Sequence, residues 1–207
     1  MRSLWLLNEL KLEYELITLS FDREIFEASY LAIHPLGRVP CLVDGDLTLM
    51  ESGAICQYLC QRYDNNHLGR EAGHPEWALW LQWLHFAETI AVHASNLVQQ
   101  YLVITDEKKR SPLVQKLERR RLQKTLEMVD QKLANQNYLL PGGFSAADIS
   151  VGYSIHLGQY LTDIAQFPRL QDYYQRLKER PAFQRSLPQA GDNKRIFSST
   201  DRYWGIG

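Results

Sequence analysis

Residues 34–59, HPLGRVPCLVDGDLTLMESGAICQYL, leave the chain few ways to fold at that point. Pro35, Gly37 and Pro40 punctuate a loop, and Pro40 stands directly before an apolar run, Cys41, Leu42 and Val43, that reads as a strand. A proline suits that place because the first residue of a strand can do without a ladder donor. Asp44-Gly45, followed by Leu47 and Leu49 with the polar Thr48 between them, predicts a two-residue turn between alternating strands. Glu51, Ser52 and Gly53 then precede Ala54, Ile55, Tyr58 and Leu59, which fall at helical spacing. Ser52 therefore stands at or near a helix N-terminus, where unpaired amides and the helix dipole favour an anionic group.

The flanking sequence predicts few further strands and many helices. Residues 2–10 read as an amphipathic helix, residues 14–19 alternate as a strand, and residues 25–32 form a short helix. Residues 54–63 complete a small N-terminal unit, and residues 64–75, rich in Asn, Gly and His with a closing proline, read as a linker. Beyond it, Trp77, Trp80, Leu81, Leu84 and Ala91 make one long apolar helix face. Residues 113–135 predict a second long helix, with Leu117, Leu122, Leu126, Val129 and Leu133 inward and Lys116, Arg119, Arg120, Arg121 and Lys124 around the outside. In Phe144-Ser-Ala-Ala-Asp-Ile149, Ser145 can cap a helix while Asp148, three residues on, reaches back to the free amide of the cap; its job is folding.

Composition narrows the class. A chain of 207 residues can bury a substantial core. It has no apolar run of bilayer-spanning length, and Asn8, Glu9 and Lys11 interrupt the first apolar stretch too early for a signal peptide, so a cytoplasmic protein with no membrane partner is expected. Cys41, Cys56 and Cys60 form no disulfide framework; Cys56 and Cys60 lack histidine at ligand spacing, so no metal site is expected. Charge is divided unevenly. Residues 1–66 carry five Lys/Arg against ten Asp/Glu, and the remainder carries eighteen against fourteen. The basic runs Lys108-Lys109-Arg110 and Arg119-Arg120-Arg121 lack interleaved aromatics and read as solvated helix faces, so no nucleic-acid partner is expected.

The loop–hairpin–helix segment resembles the glutathione S-transferase family, whose pattern runs roughly N-P-x-G-x-V-P-x-L and later L-x-E-S-x-A-I; His34 stands where asparagine is usual. FSAADI is a second stretch resembling that family. The resemblance covers essentially the whole chain and implies an α+β fold: a thioredoxin-like glutathione-binding domain at 1–66, a linker at 67–74 and an all-helical domain at 75–207. It implies a cis bond before Pro40 and backbone pairing of Val39 with the cysteinyl part of glutathione. It implies that Glu51 meets the glutamyl ammonium group, while the Ser52 hydroxyl and amide meet the carboxylate. Arg38, with His34, flanks the loop near the glycine carboxylate. Glutathione is the implied cosubstrate, with no metal, and a small hydrophobic electrophile the implied partner. In Trp83-Leu-His-Phe-Ala-Glu88, and further on, His85, Glu88 and Tyr101 are candidates for the second-substrate pocket. A homodimer is implied, and the charge asymmetry would assist its encounter.

The thiol-activating group is the awkward part. Transferases resembling this chain carry a Tyr, Ser or Cys just after the first strand; if Arg2-Ser3-Leu4-Trp5 matches the usual R-V-L-W of the first helix, that strand and loop would lie before Met1. A shortened coding start is the expected explanation, and a chain that fills the gap with a partner segment is the other. Ser3 would lie inside the helix, and Cys41 on a strand reads as a core residue, so the catalytic residue stays unknown. The expected function is transfer of glutathione to a small electrophile, or its use to reduce a peroxide or disulfide. The alternative is a non-catalytic glutathione-binding or dimerisation module.

Overall fold

The computed structural model describes residues 1–20, 23–64, 67–188 and Tyr203. Helix α1 (Arg2–Glu9) is followed by a single 3-10 turn at Glu24–Phe26 and a four-residue helix α2 (Ala28–Leu31), where the sequence predicts one short helix. Strands β1 (Cys41–Asp44) and β2 (Leu47–Met50) form an antiparallel hairpin in which Cys41 faces Met50 and Asp44 faces Leu47. The two turn residues are Gly45 and Asp46, one position later than expected. Gly45 takes φ +59° at the first of them, a conformation that costs glycine nothing sterically.

Residues 14–19 are not a strand. Among the described residues the sheet has two strands, so this alternating segment has no ladder to join, and Leu16 and Ile17 are 60% and 72% exposed. Alternation decides which side of a sheet each residue would face; it supplies no neighbour.

Helices follow: α3 (Ser52–Tyr63), α4 (Trp77–Val98), α5 (Pro112–Lys132), α6 (Ala146–Gly158), α7 (Pro168–Lys178) and α8 (Pro181–Ser186). The chain is thus a thioredoxin-like hairpin-and-helix part joined to a helical bundle. Helix α6 is the axis of the bundle, buried along nearly its whole length and packed against α4, α1, α3 and α7. At Gly152 a Cβ would come within 2.5 Å of Leu177 Cδ1 and 3.2 Å of the Trp5 ring, so only glycine lets α1 and α7 approach so closely.

The predicted cap of α6 is present. The Ala147 amide donates to Ser145 Oγ at 3.3 Å, and the Ser145 amide donates to Asp148 Oδ2 at 2.8 Å. Asp148 also accepts from the Leu139 amide and from the Tyr173 hydroxyl, each at 2.9 Å, so the cap ties α7 to α6 as well. Phe144 packs its ring near Trp5 and Tyr138.

Two inward assignments need correction. Trp77 is 37% and Leu117 42% exposed, whereas Trp83, Ala87 and Ile90 of α4, and Glu118 of α5, are buried. Glu118 can turn inward because α4 satisfies its carboxylate: His93 Nδ1 lies 2.8 Å and Asn96 Nδ2 3.1 Å from Oε2. Arg121 pairs with the other oxygen.

Asp64 and residues 67–75 are firmly tied. Asp64 is buried and accepts from the amides of Leu68 and Gly69, while the Leu68 carbonyl accepts from the Ala146 amide at 2.9 Å and from Trp80 Nε1 at 3.1 Å. Glu76 bridges Arg70 at 2.9 Å to the Gly142 amide at 2.6 Å. At the opposite end of α1, Glu9 takes a two-pronged ion pair from Arg180 at 2.6 and 2.8 Å, with that guanidinium 3.5 Å above the Phe144 ring centroid.

Candidate glutathione-type cleft

The loop before β1 closes on itself. The amides of His34 and Gly37 donate to the carbonyls of Tyr30 and His34 at 2.8 and 2.9 Å, and the Tyr30 hydroxyl donates to the Arg38 carbonyl at 2.5 Å. Gly37 has φ +56°, and a Cβ there would sit 2.7 Å from the Ile25 carbonyl oxygen. The Val39-Pro40 bond is cis. Arg38 and Val39 are exposed beside it.

His34 departs from expectation. Expected beside the glycine carboxylate, it is instead buried, its ring stacked 6.1 Å from that of Tyr30 and its Nδ1 without a hydrogen-bond partner among the described residues. Its own amide completes the turn after α2, which carries the side chain under the loop.

At the start of α3, Glu51 is the N-cap with φ +69° and ψ 108°. That backbone is uncommon for a residue with a Cβ and costs about 1–3 kcal/mol, which the surrounding structure has to hold. The Glu51 side chain is exposed and makes no hydrogen bond among the described residues. Ser52, the first helical residue, accepts a 2.8 Å hydrogen bond on Oγ from Arg2 Nη1.

Arg2, which in the sequence only aligns the first helix with the family pattern, holds the centre of this region. It is 3% exposed, yet it gathers groups from three other helices. Nη1 serves both Ser52 and the carboxylate of Glu88 in α4, Nη2 donates to Ser154 Oγ in α6 at 3.2 Å, and the guanidinium lies 5.7 Å from the Tyr153 ring centroid. The signal was present in the sequence: Arg2 and Glu9 occupy the same stripe as the buried Trp5 and Leu6, at i, i+3, i+4 and i+7. A charge on a buried stripe demands a partner.

His85 and Glu88 join this locus. The imidazole of His85 lies over the first turn of α3, 3.7 Å from where a Cβ on Gly53 would stand, and Glu88 follows one turn along α4. Tyr101 does not join it. It lies sixteen positions beyond His85, on the order of 20 Å along the helix axis at about 1.5 Å per residue. There its ring stacks on Tyr203 with centroids 5.4 Å apart, and its hydroxyl accepts from Arg119.

The electrostatics of the cleft are those of a zwitterion's complement. The α3 N-terminus and the Glu88-paired Arg2 supply positive potential, while Glu51 beside them presents a carboxylate without an ion-pair partner among the described residues. The thiols offer no ready nucleophile: burial pushes the Cys56 thiol up to about 11 and raises those of Cys41 and Cys60. Ser3 is buried inside α1 with its hydroxyl unpartnered among the described residues.

Comparison with known proteins agrees with this geometry. Residues 1–61 match the glutathione S-transferase N-terminal domain family, and residues 94–185 match the glutathione S-transferase C-terminal domain family. A probable glutathione S-transferase of Oryza sativa subsp. japonica is 30% identical over 89% of this chain and 88% of its own length. Glutathione S-transferase 3 of Schizosaccharomyces pombe is 28% identical over 98% of this chain and 88% of its own. Among solved structures, the theta class glutathione S-transferase of Xanthomonas axonopodis pv. citri, with glutathione bound, is 31% identical, covers 91% of each chain and superposes with a TM-score of 0.79. A glutathione transferase of Phanerochaete chrysosporium in complex with oxidized glutathione is 28% identical over 89% of this chain and 87% of its own, with a TM-score of 0.81.

Proposed function

Because the chain belongs to the glutathione S-transferase family, we propose that it binds glutathione in the cleft between the β1 loop and the start of α3 and uses it on a small electrophile, a peroxide or a disulfide. What supports this reading is the cis Val39-Pro40 bond directly before β1, the pairing of Cys41 with Met50 that sets that bond beside Glu51 and Ser52, and the Arg2 donor on Ser52 Oγ. In it, Val39 pairs its backbone with the cysteinyl unit, Glu51 meets the glutamyl ammonium group and Ser52 meets the carboxylate. Arg2 is a positioning residue: it orients the Ser52 hydroxyl and puts a fixed cation behind the carboxylate. Arg38 serves the glycine end.

His85 and Glu88 border the space beside bound glutathione and form one wall of a pocket for an apolar electrophile. Tyr101 lies outside that pocket. Catalysis requires the thiolate; lowering a thiol pKa from about 8.5 to about 6.5 takes roughly 2.7 kcal/mol of differential stabilisation. None of the described hydroxyl or thiol groups is assigned that role.

The reading includes a glutathione-binding domain at 1–66, a linker at 67–74 and a helical domain at 75–207. It also includes a cytoplasmic homodimer acting in detoxification, supported by three free cysteines and by the acidic balance of the first third of the chain against the basic remainder.

Titration calorimetry with glutathione, paired with a conjugation assay on an aryl halide, tests the proposal. Saturable binding that weakens in Glu51→Gln and Ser52→Ala is expected, with conjugation above the rate in buffer. Binding that is indifferent to both substitutions would sink the site, and binding without turnover would leave a glutathione-binding module.

A further inference from the structure

Helix α5 carries a cationic patch that the proposed glutathione chemistry does not use. Lys116, Arg119 and Arg120 fall at i, i+3 and i+4, and with Pro112, Gln115 and Gln123 they line a surface groove of about 360 Å³. All six lie on one face of α5, so the groove is shallow and open to solvent, and recognition there rests on charge rather than enclosure. Like charges at these spacings repel, and each such pair costs an exposed helix something unless an anion offsets it.

Elsewhere on the same segment the offset is present: Arg121 is paired with Glu118, and Arg110 with Glu107. Among the described residues no carboxylate pairs with Lys116 or Arg120. The nearest carboxylate in sequence, Glu118, is buried and turned toward His93 and Asn96 of α4. Arg119 is pre-positioned, since its Nη2 donates to the Tyr101 hydroxyl and, at 2.9 Å, to the Tyr203 carbonyl. Gln123 is held by a 3.1 Å hydrogen bond to Thr162 Oγ1. The groove therefore presents cations on a partly fixed frame, with the two unpaired ones a single helical turn apart.

We infer that the α5 groove is a binding site for a small ligand bearing two adjacent anionic groups, a diphosphate being the best match. Lys116 and Arg120, roughly 5–6 Å apart at their Cβ atoms, would each take one end of such a pair. Arg119, anchored beside them, supplies a third positive charge that favours an anion. The site lies toward the far end of α4 from the Arg2–Ser52 cleft and stands whether or not that cleft binds glutathione.

Titration calorimetry of inorganic pyrophosphate against the full chain at low salt tests the inference. Saturable one-site binding is expected, weakened at least tenfold in Lys116→Gln/Arg120→Gln and abolished in Lys116→Glu/Arg120→Glu. Both side chains are exposed, and circular dichroism would verify that the variants fold. The control is Lys108→Gln/Lys109→Gln, which removes two exposed cations outside the groove and is expected to change affinity less than twofold. Absence of saturable binding to the native chain overturns the inference. Equal weakening in the control does so too, because it would mean that pyrophosphate reads only the overall positive field.

Discussion

Replacing Arg2 with methionine keeps a long apolar stem and removes the guanidinium, which isolates what the charge does. Ser52 Oγ loses its 2.8 Å donor and Ser154 Oγ its 3.2 Å donor, although Ser154 still donates to the Ala87 carbonyl at 3.0 Å. Glu88 is left without its cation, but its side chain is 56% exposed and can turn to water. No buried charge is stranded, so the loss of stability is expected to be about 1–3 kcal/mol, below the 3–5 kcal/mol of breaking a fully buried pair. Glutathione binding should suffer in proportion to a lost charge-assisted interaction, about 1.5–3 kcal/mol, or roughly ten- to 150-fold in Kd. Urea denaturation gives the first quantity and titration calorimetry the second. A double-mutant cycle with Ser52→Ala adds the coupling between the two side chains, expected to be about 1 kcal/mol or more. If Arg2→Met lowers stability as stated but binds glutathione within twofold of the native chain, Arg2 is a strut between helices and the electrostatic reading of the cleft fails.

Other outcomes follow from the packing and the titrating groups. Gly152→Ala drives a Cβ to 2.5 Å from Leu177 and should destabilise by about 1–3 kcal/mol or more, seen as a lower urea midpoint with an unchanged slope; an unchanged midpoint would contradict the close α1–α6–α7 approach. Ser145→Ala removes the α6 cap oxygen and should cost about 0.5–2 kcal/mol, with conjugation or binding per folded molecule unaltered. His156, half-buried and near the Lys178 charge, has its pKa lowered from 6.5 to about 4, so the folded chain refuses a proton that the unfolded chain accepts. Its contribution is complete above about pH 6.5 and lost as pH falls toward 4, amounting to about 2 kcal/mol between pH 7 and pH 5. Asp148, raised by burial to about 6, has the opposite slope over the lower part of that window. The test is therefore the difference between the native chain and His156→Gln at the two pH values, and parallel pH curves would refute the assignment.

What could be read from the chain itself is what neighbouring residues settle among themselves. Cys41–Asp44 and Leu47–Met50 pair because a short turn leaves them no other register, Ser145 and Asp148 cap α6 from three residues apart, and Ser52 opens α3 because Glu51 and Gly53 bracket it. These are short-range choices, made by residues a few positions apart. Even there the hairpin turn moved by one residue, since Asp44 gains by closing the ladder opposite Leu47 and accepting from the Tyr58 hydroxyl at 2.8 Å.

Tertiary structure decided the rest. Arg2 came to join Ser52, Glu88 and Ser154 because α3, α4 and α6 converge on the start of α1, across separations of fifty or more positions that no local pattern encodes. His34 went inside and Leu117 outside because burial depends on which element arrives to cover a face, and Glu118 followed inward only where His93 and Asn96 could satisfy it. Residues 14–19 kept their alternation without becoming a strand, and Tyr101 followed His85 along one helical run yet lies well beyond it, against Tyr203. Side-chain periodicity follows from backbone geometry and is written in the sequence; a neighbour from a distant part of the chain exists only once the fold has closed.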